Sequence, residues 1–388
     1  AEQLARARRL RKSGATAAAA ALILAAAFPL GTVNRLEQLL VRTYWNALAP
    51  GQALAVWADT RYQQLAVGER EGQFAVYSNG LLAVTFPDPF EVTRRVHLCL
   101  NQCADPRDVL LIGQGLEGEA QRVLDYPVRS LTLVILDPEY PRRIRPLLPA
   151  EDRARLRDPR LELVPADGVE YLRGTARRFD LVVLHTPPPA TAAFNRFYTR
   201  EYFDLVRRRL NPSGAVVVGL EASESFMGPE MRRYVGTLNN TLGSVFPRVI
   251  AAPGTSLLFF ASGPAGRITL DADELARRLA ARNLPSAASF RSSQFRLMLQ
   301  PERVEWLRET LADEAVAPVN TDRRPVIYLH NLRLWDLVTE GRLGGMLAAL
   351  DRLTLPWLLL IAAAALLLAT AGAAGTLRGE SPGRLEGR

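Results

Sequence analysis

The segment Asp108-Val-Leu-Leu-Ile-Gly-Gln-Gly-Leu-Glu-Gly118 restricts the possible folds more than any other part of this chain. It is a short apolar run that breaks into a glycine-rich turn and leads into a predicted helix, Glu119 to Tyr126. A buried strand followed by such a turn presents backbone N–H groups to a ligand at the helix N-terminus. The pattern then repeats. A second apolar run, Leu131 to Leu136, ends at Asp137-Pro138-Glu139, and a third, Leu161 to Val164, ends at Ala166-Asp167-Gly168. A fourth, Leu181 to Leu184, enters His185-Thr186 and three prolines; Phe197 to Gly214 reads as a helix, a turn and the approach to a fifth strand. Strands alternating with helices in this order predict an α/β fold with a parallel sheet. Upstream, Gln52 to Pro87 alternates apolar and polar residues around Glu71-Gly72 and Asn79-Gly80, which predicts a small antiparallel β region.

These landmarks are joined by Thr60-Arg-Tyr-Gln-Gln-Leu-Ala-Val67 and Asp158-Pro-Arg-Leu-Glu-Leu163. Together, over Trp57 to Ser262, the chain resembles the spermidine synthase (polyamine aminopropyltransferase) family. Further on, Asn320-Thr-Asp-Arg-Arg-Pro-Val-Ile-Tyr-Leu-His-Asn-Leu-Arg-Leu-Trp335 is similar to the tail of membrane-embedded, bacterial spermidine-synthase-like proteins. The resemblance implies a Rossmann-like S-adenosylmethionine-methyltransferase-type sheet with a small N-terminal antiparallel β region, flanked by transmembrane helices. It also implies aminopropyl transfer from decarboxylated S-adenosylmethionine, with methylthioadenosine as the nucleoside product.

That reaction needs an uncharged amine to attack the carbon next to a sulfonium, so carboxylates are expected to take a proton and to hold the polycation. The family places one Asp at the end of the fourth strand and another three residues later. Here those positions carry His185 and Pro188. The acid that holds the ribose corresponds to Ile135, the acid of the glycine loop to Leu116, and the Asp-Gly of the first hairpin to Asn79-Gly80. The Gln after that hairpin corresponds to Ala83, and Val92-Thr93-Arg94 stand near the family's Tyr-His-Glu. The surviving candidates for a remnant nucleoside site are Gln63, Gly113, Gly115, Gly118, Asp137, Asp167 and Gly168. Their other reading is structural, with glycines serving a strand-to-helix turn and Asp167 capping a short helix. His185 is either a general base or a satisfied strand-end histidine, and no second carboxylate close in sequence orients it.

The expectation from these losses is a catalytically inactive, membrane-anchored subunit that serves a membrane complex as a structural or assembly element, with no cofactor. Two alternatives stand beside it. One is a membrane-bound aminopropyltransferase, or related S-adenosylmethionine-type transferase, with His185 as base and decarboxylated S-adenosylmethionine or methylthioadenosine in the site. The other is a non-catalytic nucleotide or polyamine sensor.

Two uncharged stretches frame the domain, between Lys12 and Arg35 and between Arg352 and Arg378. Each is long enough to cross about 30 Å of hydrocarbon. The organisation expected is therefore a transmembrane helix at 13–34, an amphipathic connector at 35–51, the β region at 52–88 and the Rossmann domain at 89–263. A helical extension at 264–350 and a transmembrane helix at 353–375 complete it. Arg6, Arg8, Arg9, Arg11 and Lys12 before the first span, with Arg378, Arg384 and Arg388 after the second, favour both ends on the cytoplasmic side of a bacterial inner membrane and the domain on the extracytoplasmic side. Small residues in both stretches suit contacts with other integral membrane subunits, and the resemblance implies a homodimer through the β region. The net charge of +8 lacks any accompanying nucleic-acid motif, so no nucleic acid is expected as partner. No metal is expected either: His97, Cys99 and Cys103 fall short of a four-ligand set, and two cysteines four apart on one helix face are poorly placed for a disulfide.

Overall fold

The computed structural model describes residues 32–222, 226–254, 256–282, 284 and 290–338. The expected spans lie outside these residues except for Thr32 to Asn34, which open a helix running Thr32–Leu48. Among the described residues no helix is long and apolar enough to cross a membrane. The chain divides into two compact units, residues 1–88 with 139–149, and residues 89–138 with 150–388.

In the first unit four strands, β1 (Ala53–Asp59), β2 (Gln64–Arg70), β3 (Gln73–Ser78) and β4 (Leu81–Phe86), form an antiparallel meander in chain order. Glu71 and Gly72, and Asn79 and Gly80, all hold positive φ. Two-residue turns of this kind match the right-handed twist of the strands they join, and asparagine and glycine tolerate them. The helix Thr32–Leu48 and the residue that follows it bury Trp45 and Ala49 beside Ala66, with the Tyr77 ring edge-on to Trp45 at 5.5 Å. Its other side leaves Leu36, Leu39 and Leu40 about 60% exposed.

The second unit is built on seven strands: β5 (Asp108–Gly113), β6 (Ser130–Ile135), β7 (Leu161–Pro165), β8 (Phe179–His185), β9 (Leu210–Glu221), β10 (Arg248–Ala252) and β11 (Ser256–Ser262). Their spatial order is β10-β11-β9-β8-β5-β6-β7. The sheet is a Rossmann-like, methyltransferase-type sheet, but it is mixed rather than parallel throughout. β11 runs antiparallel to both β9 and β10, because the link from Ala252 to Ser256 is far too short for the crossover a parallel neighbour requires. The turn expected at Asn211 to Gly214 also takes another form. Pairing between β8 and β9 jumps from Phe179–Leu210 to Leu181–Ala215, so these residues bulge out of β9. The first glycine-turn helix closes early, spanning Glu119–Val123.

The central strands bury both faces, which explains their continuous Val/Leu/Ile runs. Leu110, Ile112, Val182, Leu184, Val216 and Val218 join one large core with Phe203, Tyr234 and Phe259. At the N-terminal edge of the sheet a single carboxylate ties three segments. Asp180 Oδ2 accepts the N–H groups of Arg107 and Asp108 at 2.8 and 2.9 Å, while Oδ1 accepts Asn211 Nδ2 at 2.6 Å. C-terminal to the sheet, helices Ala272–Ala280, Pro301–Asp313 and Val326–Val338 follow. The buried Asn320 pins the last of them. Its Nδ2 donates to Asn195 Oδ1 at 3.2 Å and to Tyr198 O at 2.9 Å, and its Oδ1 accepts Ile327 N–H at 3.3 Å.

Gly113 shows how closely the central strands meet. It holds φ +106°, and a Cβ there would lie 2.2 Å from the carbonyl oxygen of His185. Backbone cannot give way as a flexible side chain would, so Gly113→Ala is expected to lower the unfolding free energy by about 2–4 kcal/mol. Gly174, where an added methyl meets nothing within 4 Å, is the control, with Gly174→Ala expected to stay within about 0.5 kcal/mol of the parent in urea unfolding. Equal stability of Gly113→Ala and the parent would contradict the close approach.

Candidate active site

The strand order reverses between β5 and β8: the chain runs outward through β6 and β7, then returns to place β8 on the other side of β5. In open α/β sheets, ligands bind at the C-terminal ends of the strands on either side of such a switch. Here the two strand ends are joined directly, since the Gln114 N–H donates to His185 O at 2.9 Å.

Of the residues singled out in the sequence, seven sit along this C-terminal edge. Gly113, Gly115 and Gly118 follow β5, Asp137 follows β6, Asp167 and Gly168 follow β7, and His185 ends β8. All three glycines of the turn have φ above +100°, a region where a side chain is strained. Gly168 lies against β5, where a Cβ would meet Ile112 Cγ2 at 2.5 Å. Asp137 is buried. Asp167 caps the helix Gly168–Gly174, Oδ1 accepting Val169 N–H at 2.9 Å and Glu170 N–H at 3.3 Å, and Oδ2 meets Arg196. Its capping role is therefore real, and the ion pair with Arg196 comes in addition. Gln63 belongs to the first unit, where its Oε1 accepts Ser78 Oγ at 2.6 Å.

His185 is not left unoriented. Its Nδ1 lies 2.8 Å from Glu119 Oε2, and the same carboxylate oxygen stands 3.5 Å from the Arg95 guanidinium. The lack of a nearby carboxylate is corrected by the fold, because the glycine turn after β5 delivers Glu119 to the strand that ends in His185. Glu119 is 3% exposed. Burial alone would raise its pKa, but Arg95 and His185 outweigh it and hold the carboxyl down at about 2. An ionised carboxylate has no proton to give, so His185 Nδ1–H must be the donor. Once the ring is neutral, its lone pair is on Nε2. This is the arrangement in which a carboxylate fixes the tautomer and orientation of a basic imidazole.

The glycine turn also departs from the anion-binding reading. A second buried carboxylate, Glu117, accepts the Gly115 N–H at 3.2 Å. The helix that follows has only Glu119–Val123, and acids occupy its approach. A turn with two buried carboxylates suits a cationic ligand far better than a phosphate. Reading the sequence position by position passed over both acids, since each is shifted from the acid of the family's pattern. The signal was the pair Glu117 and Glu119 in a turn already assigned to a switch-point strand.

The remaining chemistry-bearing residues lie elsewhere. His97 is buried. Its Nδ1 is 2.6 Å from Tyr126 Oη, and burial lowers its pKa to about 4, so it packs as a neutral ring. Cys99 and Cys103 are free and buried, and burial pushes both thiols up. No group of three or more metal-ligating side chains occurs among the described residues.

Known proteins agree with this architecture. A family model described as the spermine/spermidine synthase domain matches residues 93–252. The polyamine aminopropyltransferase of Nitrosomonas europaea is 32% identical over 188 residues, covering 47% of this chain and 57% of its own length. Polyamine aminopropyltransferase 2 of Pseudomonas aeruginosa is 35% identical over 41% of this chain and 45% of its own. For polyamine aminopropyltransferase 1 of Streptomyces coelicolor the figures are 30%, 66% and 49%. The chain thus spans about half the length of the curated relatives it matches. Among solved structures, a spermidine synthase in complex with the transition-state analogue AdoDATO superposes with a TM-score of 0.56 at 19% identity, covering 67% of this chain and 88% of its own. The spermidine synthase from Thermotoga maritima gives 0.53 at 19%, with 67% and 87% covered. Over residues 93–252 this chain is similar to the spermine/spermidine synthase domain, and its fold is that of the spermidine synthases.

Proposed function

We propose that the chain is a transferase of the aminopropyltransferase type, taking decarboxylated S-adenosylmethionine and an amine, with His185 as general base. The observation that carries this reading is the 2.8 Å contact between His185 Nδ1 and the buried, ionised Glu119 at the switch point. The names of the relatives, polyamine aminopropyltransferases, support the same reaction class. The expectation of an inactive assembly subunit rested on a missing acid, and an imidazole with a fixed tautomer performs the same proton removal.

His185 Nε2 takes a proton from the acceptor's ammonium, leaving a neutral nitrogen with its lone pair free. That nitrogen attacks the propyl carbon beside the sulfonium. A C–N bond forms, the C–S bond breaks, and its electron pair leaves on sulfur as the neutral thioether methylthioadenosine. Glu119 stabilises the imidazolium that results, and Glu117 adds negative charge where a cationic donor would sit. Asp137 and the Asp167–Gly168 turn stand at the ends of the neighbouring strands, on the side where the nucleoside would lie.

Membrane attachment belongs to the same proposal. Its supports are the uncharged stretches 13–34 and 353–375 and the outward leucines of the helix Thr32–Leu48. The setting proposed is the bacterial inner membrane, beside other integral membrane subunits. Full-length protein is expected to stay with the membrane pellet through an alkaline carbonate wash, and its release into the supernatant would end this part of the reading.

The enzymatic part is tested with purified protein, methylthioadenosine binding by calorimetry and aminopropyl transfer by product analysis. His185→Ala is expected to abolish transfer while leaving methylthioadenosine binding within about twofold; transfer that survives the substitution would overturn His185 as base. Nucleoside binding without turnover in the parent protein would favour a sensor instead. Glu119→Gln is expected to lower transfer by about 100-fold or more, since an amide in place of the carboxylate behind a catalytic histidine can cost as much as about 10⁴-fold.

Glu119 also predicts an acid dependence of stability. Its folded-state pKa of about 2 lies below the ordinary glutamate value of 4.5, so its stabilisation is complete above about pH 4.5 and is lost as pH falls toward 2. The stability difference between the parent and Glu119→Gln should therefore shrink over that window. A difference independent of pH would show that the carboxylate is not held ionised.

A further inference from the structure

The helix Val326–Val338 fixes where the chain leaves the second unit. It runs antiparallel to the helix Pro229–Gly243, which descends from the end of β9. Near the lower end of that helix, Thr241 Oγ1 accepts the Asn320 N–H at 2.9 Å. At its first turn, Glu230 Oε2 stands 3.7 Å from His330 Nδ1 and 3.8 Å from the Arg333 guanidinium. Asn331 and Leu334 also line one cavity with Pro188, which follows β8, and Glu221, which ends β9. The helix therefore climbs the unit and finishes at the C-terminal edge of the sheet, the edge that carries His185 and the glycine turn. Residues 339–352 separate this end from the uncharged stretch 353–375.

The same edge exposes large apolar side chains on three separate elements. Leu337, in the last turn of the helix, is 65% exposed, and Leu136, directly after β6, is 38% exposed. Phe90, 55% exposed, opens the helix Pro89–Leu100. That helix starts at the same level, because its Val92 lies against Gly118 and its Arg95 reaches Glu119. The Arg94 guanidinium is 5.2 Å from the centre of the Phe90 ring. An aromatic ring with a cation beside it suits the boundary between acyl chains and headgroups. Leu163, Leu297 and Val316 are exposed as well, but they lie on other elements, and apolar residues scattered singly over a surface need no partner.

Resting on the membrane attachment proposed above, we infer that this edge of the second unit lies against the bilayer surface, with Phe90, Leu136 and Leu337 entering the headgroup region. A lipid surface fits because these side chains surround the strand ends without forming one groove. The chain also leaves the unit among them, toward its longest uncharged stretch. The candidate site then opens at the interface between lipid and water, so its substrates arrive and its products depart along the membrane.

The test places one fluorophore at a time on full-length protein in vesicles of phosphatidylethanolamine and phosphatidylglycerol that carry a lipid spin-labelled at its headgroup. Cys99 and Cys103 are buried, so a thiol-reactive bimane goes to the introduced cysteine of Leu136→Cys, Leu337→Cys or Gly174→Cys. Gly174 marks the opposite edge, next to Arg173, whose carbonyl accepts from Arg209 at the start of β9. Leu136→Cys and Leu337→Cys should each be quenched by the lipid label at least about twofold more than Gly174→Cys, as for side chains that reach the headgroup boundary. Two variants on different elements keep the outcome from resting on the folding of either. Equal quenching at the three positions, or stronger quenching at Gly174→Cys, would overturn the inference. So would probes at 136 and 337 that are shielded from iodide in water but untouched by the lipid label, which would put a protein partner on this edge. Release of the parent protein by the carbonate wash would instead strike the attachment reading.

Discussion

Everything at the site depends on how closely β5 and β8 abut. Gly113 has no side chain because the carbonyl of His185 occupies the space where one would begin, and the next amide, Gln114 N–H, bonds to that same carbonyl. Two strands that are distant in sequence are thereby locked end to end at the point where the sheet reverses its order. The three turn glycines then swing the chain back across the strand ends, which no residue with a Cβ would do without strain. That reversal carries Glu119 to His185.

The Glu119 cluster is costly to build and is held by its neighbours. A carboxylate buried without partners would protonate instead of staying charged. Arg95 and His185 prevent this, each contributing from a different element, so the charge survives in a place that excludes most water. A low-dielectric setting strengthens every interaction among these groups. It also means that the imidazole's two nitrogens are unequal before any ligand arrives: one is committed to Glu119, and the other is left to the cleft. Pre-orientation of this sort is what a base needs, because proton transfer depends first on geometry and then on basicity.

Much of this was legible in the sequence, and the reasons for the gaps are specific. The apolar runs located β5, β6, β7 and β8 closely, since strands buried on both faces leave an unbroken signal. Turn chemistry located the hairpins at Gly72 and Gly80. The antiparallel β11 escaped because strand direction depends on the length of the connection, not on the composition of the strand. The partner of His185 escaped for a deeper reason. Glu119 and His185 are 66 positions apart, and only the β5–β8 pairing brings them together. Comparing positions with a family pattern finds acids in their usual places, and it is blind to an acid that reaches the same point from another residue. Asp167 was read correctly as a cap, but its pairing with Arg196 required the crossover after β8 to be in place.

Asp180 has a different kind of consequence. It knots the N-terminal edge of the sheet, holding the starts of β5 and β9 from the start of β8, on the side remote from the candidate chemistry. The anchorage of the scaffold and its reactive rim are therefore segregated at opposite ends of the same strands. Substitutions at the rim do not loosen the knot. This separation makes the rim evolvable: the residues at the strand ends can change while the sheet beneath keeps its register.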